Sequence, residues 1–252
     1  MDHSNWRKTQ NTAASRQLPQ SLLKAHPQQT KLLTGFVLSV LLLCITEILY
    51  KIPYRHAAAL DPQVFSVKLP AIDDRIPVVP VFFFGYIWSY AYWFFSPFFI
   101  LQTGKEKIRV FLITYVVTLI FCSLILYFFP TKIDRVAEGL WDPSLSGFFW
   151  RLLHICYNVD GGNVSYNLLP SMHCANCVIF YQALRDDKIP YRFQMAALFS
   201  TVLVIISTLL TKQHFFLDVV TGILIPIIIR SMVVRIDLPL QTKVSREAPD
   251  EK

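Results

Sequence analysis

TLLTKQHFFLDVVTG, residues 208–222, lies between two apolar runs and yet carries His214 and, four residues later, Asp218. An ionisable residue near a membrane boundary is costly to place there, which makes it a candidate functional residue. Residues four apart share a helix face, so the Asp218 carboxylate can approach the His214 imidazole, fix its tautomer and favour its protonated form. An isolated pair of this kind could equally be a polar helix cap, and the rest of the sequence decides between the two interpretations.

The composition indicates a polytopic membrane protein. Of the 252 residues, 54% are hydrophobic and 16% are charged, whereas a soluble domain carries about a quarter charged residues. The apolar residues are grouped in blocks, and a spanning helix needs roughly 17 to 25 of them. We predict an all-α membrane protein, a bundle of six transmembrane helices, with spans near residues 32–51, 79–101, 110–129, 171–185, 194–211 and 215–235.

The sequence divides into three parts. A polar, basic tail (1–30) precedes a six-helix membrane domain (31–236), and a second polar tail (237–252) follows it. The first thirty residues lack the apolar core and cleavage site of a secretory signal, so we expect the first span to be an uncleaved anchor. The long connection 130–170 contains the turn-like Asp160-Gly161-Gly162-Asn163, and it predicts a loop with one short interfacial helix.

The distribution of lysine and arginine predicts the orientation. If both termini share one side, that side carries sixteen of these residues and the other side eight. The positive-inside rule then places both termini in the cytoplasm, and His214 with the 130–170 loop on the outer or lumenal face. We expect the plasma membrane. The net charge of +7 lies largely in short loops and tails, where it suits anionic lipid and requires no nucleic acid.

A second polar stretch, NLLPSMHCANCVIFYQALR (167–185), changes the balance between the two interpretations. Pro170 and Ser171 predict the start of a helix, with His173 in its first turn. Backbone N–H groups at a helix N-terminus bind phosphate, and a histidine there can donate a proton to a leaving oxygen. The predicted topology places Ser171 and His173 on the same side of the membrane as His214.

Two cations, Lys132 and Arg135, follow the third predicted span on that same side. They can hold an anion, or they can be ordinary interfacial anchors. Together, the two histidines, the carboxylate, the cations and the helix N-terminus predict phosphoryl transfer through a histidine. Cations and helix amides supply the electrostatic stabilisation, so we expect neither a metal nor a cofactor.

The motifs resemble those of the type-2 phosphatidic acid phosphatase superfamily. P-S-M-H (170–173) corresponds to its P-S-x-H, and S-T-x5-H-x3-D (207–218) to its S-R-x5-H-x3-D, about forty residues later. The resemblance covers roughly residues 75–230 and implies a six-helix membrane core.

The same resemblance implies a role for each of four residues. It implies that His214 is the nucleophile, that Asp218 is its partner and that His173 is the general acid. Ser171 and the neighbouring amides would bind the phosphate.

The sequence also departs from the family pattern. Thr208 stands where the third motif has arginine, and Lys212 can supply that charge. The first motif, K-x6-R-P, is not matched, and Lys132 and Arg135 are its substitutes by position. With the stretch DDRIPVVPVFFFGYIW (73–88), these departures resemble the branch of inositol-phosphorylceramide and sphingomyelin synthases, which moves a phospho-headgroup between lipids.

We therefore predict a lipid phosphatase that acts on a lipid phosphate or phospholipid through a phosphohistidine. A lipid phosphotransferase with the same residues is the alternative, and a membrane transporter or scaffold without catalytic activity is the alternative outside the enzymes. The sequence identifies neither the lipid nor the oligomeric state.

Two other signals have plainer interpretations. Cys174-x-x-Cys177 could suggest zinc, but without a second cysteine pair it favours small apolar fillers, and we expect no disulfide framework. The aromatic run 82–95 predicts packing in the core or against lipid, with a groove for a substrate tail as the alternative.

Overall fold

A computed structural model of the protein describes the backbone of residues 27–61, 63–142 and 144–247. Side chains are described for residues 29–61, 63–142 and 144–236. Residues 1–26 of the predicted N-terminal tail and residues 248–252 of the C-terminal tail lie outside the described residues.

The described chain is mostly helical, with one small two-stranded sheet. Its helices are α1 (Pro27–Leu60), α2 (Pro70–Asp73), α3 (Phe83–Ile100), α4 (Lys105–Phe128), α5 (Phe148–Val159), α6 (Met172–Leu184), α7 (Tyr191–Leu210) and α8 (Phe216–Glu247). A 3₁₀ turn, Pro80–Phe82, leads into α3. The strands are β1 (Lys132–Asp134) and β2 (Val164–Tyr166).

Among the described residues, four helices are long and apolar enough to cross a membrane. They are Gln29–Leu60, Lys105–Phe128, Tyr191–Leu210 and Phe216–Ile236. Each coincides with one of the six predicted spans, so the prediction of a helical membrane protein is confirmed. The count of six stays a prediction, because α3 and α6 fall outside this group.

The short helix α6 lies in the middle of the bundle. It has 13 residues and packs against α3, α4, α7 and α8. A helix enclosed by other helices does not have to present apolar side chains to lipid. This explains how α6 keeps polar residues such as Asn176 within a membrane protein.

Small residues and buried hydroxyls join the helices. A methyl group on Gly85 of α3 would collide with Ser207 Oγ of α7, so these two backbones approach closely. Ser39 Oγ of α1 donates a hydrogen bond of 2.6 Å to Phe94 O of α3. Close approach at small residues and hydrogen bonds between helices are the means by which membrane helices associate, because lipid is as apolar as their side chains.

The connection between α4 and α6 folds onto the bundle instead of forming an open loop. The strands pair antiparallel, with Ile133 opposite Ser165, and the helix predicted there is α5. A separate cluster of buried side chains holds this connection together, and its members are Ile133, Leu140, Leu153, Tyr157, Leu168 and Phe215. Phe215 follows His214 directly, so the connection packs against the turn that carries this histidine.

Candidate active site

The start of α6 holds His173 in a fixed position. Ser171 is the N-cap residue, and its Oγ accepts a 3.3 Å hydrogen bond from the Cys174 N–H. Such a cap satisfies one of the free N–H groups of the first turn. The helix start predicted from Pro170 and Ser171 is confirmed, and His173 lies in the first turn of α6.

The turn from α7 to α8 is closed by a residue in the left-handed region. Lys212 has φ of 49°, its N–H donates to Leu209 O, and the Gln213 N–H donates to Thr208 O. This is the Schellman pattern of hydrogen bonds, in which glycine is usual at the left-handed position. A lysine there costs about 1–2 kcal/mol of backbone strain.

The side chain of Lys212 turns inward. Its Nζ donates a 2.5 Å hydrogen bond to Asp73 O, and the residue is largely buried. Burial lowers the pKa of the Lys212 ammonium, while the carboxylates of Asp73 and Glu138 act in the opposite direction. The turn therefore holds a shielded amine two residues before His214.

Two carboxylates cap the start of α8. Asp218 Oδ2 accepts a 2.7 Å hydrogen bond from the Phe215 N–H, as the third helical residue does in a capping box. Asp73 Oδ1 accepts a 2.8 Å bond from the Phe216 N–H. Negative charge at a helix N-terminus is favourable because of the helix dipole.

Asp218 also faces His214. Its Oδ2 lies 3.6 Å from His214 Nδ1, which is longer than a good hydrogen bond and short enough for an ion pair with a protonated ring. The carboxylate is fully buried, and its Oδ1 has no hydrogen-bond partner among the described residues. The helix-cap interpretation and the functional interpretation of residues 208–222 are therefore compatible, since the Asp218 side chain both caps α8 and faces the His214 imidazole.

The two histidines face each other from the starts of two different helices. The ring centroids of His173 and His214 lie 5.9 Å apart. The Nε2 atom of His173 is buried and makes no hydrogen bond to any described residue. The rings of Tyr86 and Trp93 stand 4.6 Å and 5.2 Å from the His173 ring, so aromatic side chains of α3 form its wall.

Direct backbone contact fixes the relative position of α6 and α8. The Ser171 N–H donates a 2.9 Å hydrogen bond to Asp218 O. One turn further along α8, a methyl group on Gly222 would lie 2.5 Å from Ser171 O and 3.1 Å from Cys174 Cβ. Only glycine allows so close an approach. The distance between the two histidines is thus set by the backbones that carry them.

Arg135 is fully buried and belongs to a hydrogen-bond network behind the histidines. Its guanidinium donates to Gly162 O at 2.6 Å, and to Asp160 Oδ2 and Gln213 Oε1 at 2.9 Å each. It also lies over the Tyr157 ring, 4.3 Å from the centroid. A buried charge requires such pairing. Arg135 thereby ties the connection between α4 and α6 to Gln213, the neighbour of His214.

Lys132 makes its contacts elsewhere. Its ammonium pairs with the Asp61 carboxylate at the end of α1, and its N–H donates to Phe65 O. The contacts described for Lys132 include none of the residues around the histidine pair. The structure thus brings His173, His214, Asp218 and Ser171 together, with Lys212 and Arg135 next to them in the chain or the hydrogen-bond network.

A mainly apolar cavity of about 640 Å³ lies beside His173. Its wall comes from α1, α3, α5 and α6, and the aromatic run of α3 contributes Phe83, Tyr86, Ile87, Tyr90 and Trp93. The exposed ion pair of Glu47 and Lys51, 3.0 Å long, stands on the α1 side. The aromatic run therefore packs in the core and also lines this cavity, and the groove for a substrate tail stays a prediction.

A model of the PAP2 superfamily matches residues 73–231 of the chain. The chain belongs to the PAP2 superfamily. No curated protein and no solved structure matches it. The matched residues contain both histidines and Asp218, so the resemblance found in the motifs is confirmed at the level of the superfamily. The PAP2 branch stays a prediction.

Sequence reasoning missed several residues of this PAP2 site. Asp73 received no role, although it accepts from the start of α8 and binds Lys212 through its carbonyl. Gln213 and Asp160, the partners of Arg135, were also missed. The available signals were weak: Asp73 precedes a second aspartate, Gln213 adjoins His214, and Asp160 begins a turn.

The two cysteines of α6 have ordinary surroundings. Cys177 Sγ accepts a hydrogen bond from Trp93 Nε1 at 3.3 Å, and Cys174 Sγ lies 3.8 Å from Thr208 Oγ1. Both are buried. In the described part of the chain, no group of three or more histidine, cysteine, aspartate or glutamate residues is arranged to hold a metal ion.

Proposed function

We propose that the protein is an integral membrane enzyme that hydrolyses a lipid phosphate through a phosphohistidine intermediate. The observation that carries this proposal is the approach of His173 and His214, whose ring centroids lie 5.9 Å apart at the starts of two helices. A phosphorus atom placed beside the two rings, within reach of both, has a nucleophile in one ring and a proton donor in the other. Membership of the PAP2 superfamily supports phosphatase or phosphotransferase chemistry.

In the first step, the Nε2 lone pair of His214 attacks phosphorus and the bond to the lipid oxygen breaks. His173, protonated at the start, gives its proton to that oxygen, and the lipid leaves as an alcohol. Asp218 lies 3.6 Å from His214 Nδ1, where it stabilises the positive charge that develops on the ring. Hydrogen bonds of this kind are often long in the free enzyme and shorten in the transition state.

In the second step, water attacks the phosphorus of the phosphohistidine, and the bond from phosphorus to His214 Nε2 breaks and returns its electron pair to the ring. His173 is now neutral and takes a proton from this water, so that phosphate is released and both histidines return to their starting forms. His173 thus acts first as acid and then as base, because the first step breaks a bond between phosphorus and oxygen and the second step forms one.

The phosphate oxygens are bound at the start of α6. Its free N–H groups and positive dipole end suit an anion, and Ser171 is the cap of that helix. Lys212 and Arg135 supply positive charge behind the site. Lys132 is the proposed phosphate ligand with the least support, because its ammonium is paired with Asp61.

The proposed enzyme is a six-helix bundle in which α3 and α6 complete the four apolar helices. At 1.5 Å per residue, α6 is about 20 Å long, shorter than the hydrocarbon core of about 30 Å. At least one end of α6 must therefore lie below the membrane surface, and we propose that this is the N-terminus, where a lipid phosphate can reach it. The sixteen-to-eight distribution of lysine and arginine supports cytoplasmic termini and a site that faces outward or into a lumen. The plasma membrane stays a prediction.

The cavity beside His173 favours a second candidate function. An apolar space next to the histidines can hold a lipid alcohol and keep water away from the phosphohistidine. The alcohol would then take the phospho-headgroup, and the enzyme would be a lipid phosphotransferase with the same catalytic residues.

The proposal is tested with purified protein, a lipid phosphate and a nitrophenyl phosphate. His214→Ala removes the nucleophile, so neither substrate should react and no phosphoenzyme should form. His173→Ala removes only the acid, which typically costs about 10²- to 10⁴-fold. Because nitrophenolate leaves without a proton, His173→Ala should lose much less activity on the activated substrate than on the lipid.

His56→Ala is the matched control, since this histidine lies near the C-terminal end of α1, stacks on Tyr127 of α4 and does not line the cavity. It should keep wild-type rates on both substrates. Rescue of His214→Ala by the activated substrate would show that the two roles are assigned in reverse. Wild-type rates in both site variants would contradict the mechanism and leave residues 208–222 as a polar helix cap. No turnover by any form would leave the transporter or scaffold as the better account. Addition of a lipid alcohol then separates hydrolase from transferase by the product formed.

A further inference from the structure

Asn176 is a polar residue of the cavity wall that the proposed reaction does not use. It is fully buried on α6, three residues after His173, and both residues line the cavity. Neither Oδ1 nor Nδ2 of its carboxamide has a hydrogen-bond partner among the residues that the structure describes. By contrast, the buried hydroxyl of Thr201 has a partner on the same helix as Asn176, since Thr201 Oγ1 donates to Cys177 O.

An unpaired amide is a costly feature in an apolar interior. Buried polar groups in proteins are nearly always hydrogen-bonded, because burial without a partner loses the hydrogen bonds that water supplied. His173 Nε2 is a second buried atom of the same wall without a described partner. Two such groups on one helix, beside an apolar cavity, indicate a ligand that is apolar along its length and polar at one end.

We propose that Asn176 binds a hydroxyl or amide group of the lipid moiety, next to the phosphate-bearing oxygen, while the hydrocarbon chain occupies the cavity. This inference rests on the proposed function for the placement of the phosphate at the histidines. A carboxamide both donates and accepts, so its complement is a neutral group that also does both. An ester can only accept a hydrogen bond and a hydrocarbon chain can do neither, so each leaves the donor, the acceptor or both of the carboxamide without a partner.

The spacing along α6 limits where this group lies in the lipid. Residues three apart on a helix have Cβ atoms roughly 5–6 Å apart. With the leaving oxygen at His173, a hydroxyl or amide on the adjacent carbon of the lipid reaches Asn176. The chain then runs past Tyr90 and Ile87 towards the exposed apolar side chains of Ile155 and Val159, which also line the cavity.

The test compares three substrates with the same chain: hexadecyl phosphate, and two versions with a hydroxyl or an acetamido group on the neighbouring carbon. The wild type should prefer one or both polar versions by about 5- to 100-fold in kcat/KM, the range expected for satisfying a buried polar group. Asn176→Leu keeps the shape and should lose this preference. Thr114→Val also removes a buried hydroxyl without a described partner, from α4 and outside the cavity wall, and should keep the preference.

Thermal stabilisation of the detergent-solubilised protein by the three corresponding alcohols measures binding without turnover. The same order of preference is expected, again lost in Asn176→Leu. If the wild type shows this order in binding but cleaves no phosphate, the proposed reaction fails and the binding site stands. If the wild type binds the three alcohols equally, or Asn176→Leu discriminates as the wild type does, the inference is wrong.

Should Asn176→Leu fail to fold, Ile87→Trp supplies a second measurement. A tryptophan there narrows the cavity, so stabilisation by all three alcohols should fall. Unchanged stabilisation would place the chain elsewhere and overturn the inference.

Discussion

Gly222→Ala should reduce catalysis far more than stability. The new methyl group would lie 2.5 Å from Ser171 O and 3.1 Å from Cys174 Cβ, and the first of these is backbone that no rotamer change can move. The starts of α6 and α8 must therefore separate. Since His173 lies in the first turn of α6 and His214 just before α8, separating the two helices also moves the two imidazole rings apart.

The magnitude follows from that distance. Cβ atoms essentially never lie closer than 3.0 Å to another heavy atom, and their ordinary contacts begin at 3.4 Å. The backbones must therefore move apart by roughly 0.5–1 Å, and a misplacement of about 1 Å at reacting groups costs up to about 10²-fold. Overpacking costs about 1–3 kcal/mol, while alanine gains about 1 kcal/mol over glycine within a helix. The net loss of stability is thus about 0–2 kcal/mol.

The assay is kcat/KM on a lipid phosphate, with a thermal unfolding curve for each variant. Gly104→Ala is the matched control, because the nearest atom to its new methyl group is Lys188 Nζ at 3.7 Å. It should leave kcat/KM unchanged. A folded Gly222→Ala protein with wild-type kcat/KM would refute the idea that backbone contact sets the distance between the histidines.

Two further predictions concern orientation and metals. The orientation is tested in a Cys44→Ser background, which removes the exposed native cysteine. In intact cells, a cysteine introduced at Ser146 should react with an impermeant thiol reagent, and one introduced at Asp187 should not. The opposite pattern would place the site on the cytoplasmic face. A chelator should leave turnover intact while vanadate inhibits it, because histidine carries the phosphoryl group; activity lost to the chelator and restored by zinc or magnesium would contradict the mechanism.

The sequence predicted those parts of the site that depend on local spacing. Four residues separate His214 from Asp218, and Ser171 lies two residues before His173, so helix geometry alone predicts which side chains share a region. The four apolar spans were predictable because each faces lipid over much of its surface. The bounds of α6, Met172–Leu184, agree with the predicted 171–185 to one residue at each end, but its enclosure by other helices was not predictable, since its neighbours decide how much of it is buried.

Features that depend on distant parts of the chain were not predictable. Asp73 reaches the start of α8 across 143 residues, and no periodicity reveals such a contact. The three-residue strands β1 and β2 are too short for an alternating pattern to be recognised. The left-handed turn was hidden because Lys212 stands where glycine usually marks it.

The burial of Arg135 has a consequence for the order in which the protein is assembled. Asp160 follows it by 25 residues and Gln213 by 78, so a growing chain presents the arginine long before its side-chain partners exist. An unpaired buried guanidinium costs several kcal/mol, and the Asp160 carboxylate can pair with Arg135 as soon as the connection between α4 and α6 has been made. The bond to Gln213 forms last, when the turn before α8 has been made. A chain truncated before residue 213 would therefore keep the ion pair of Arg135 and lack the bond that joins this connection to the neighbour of His214.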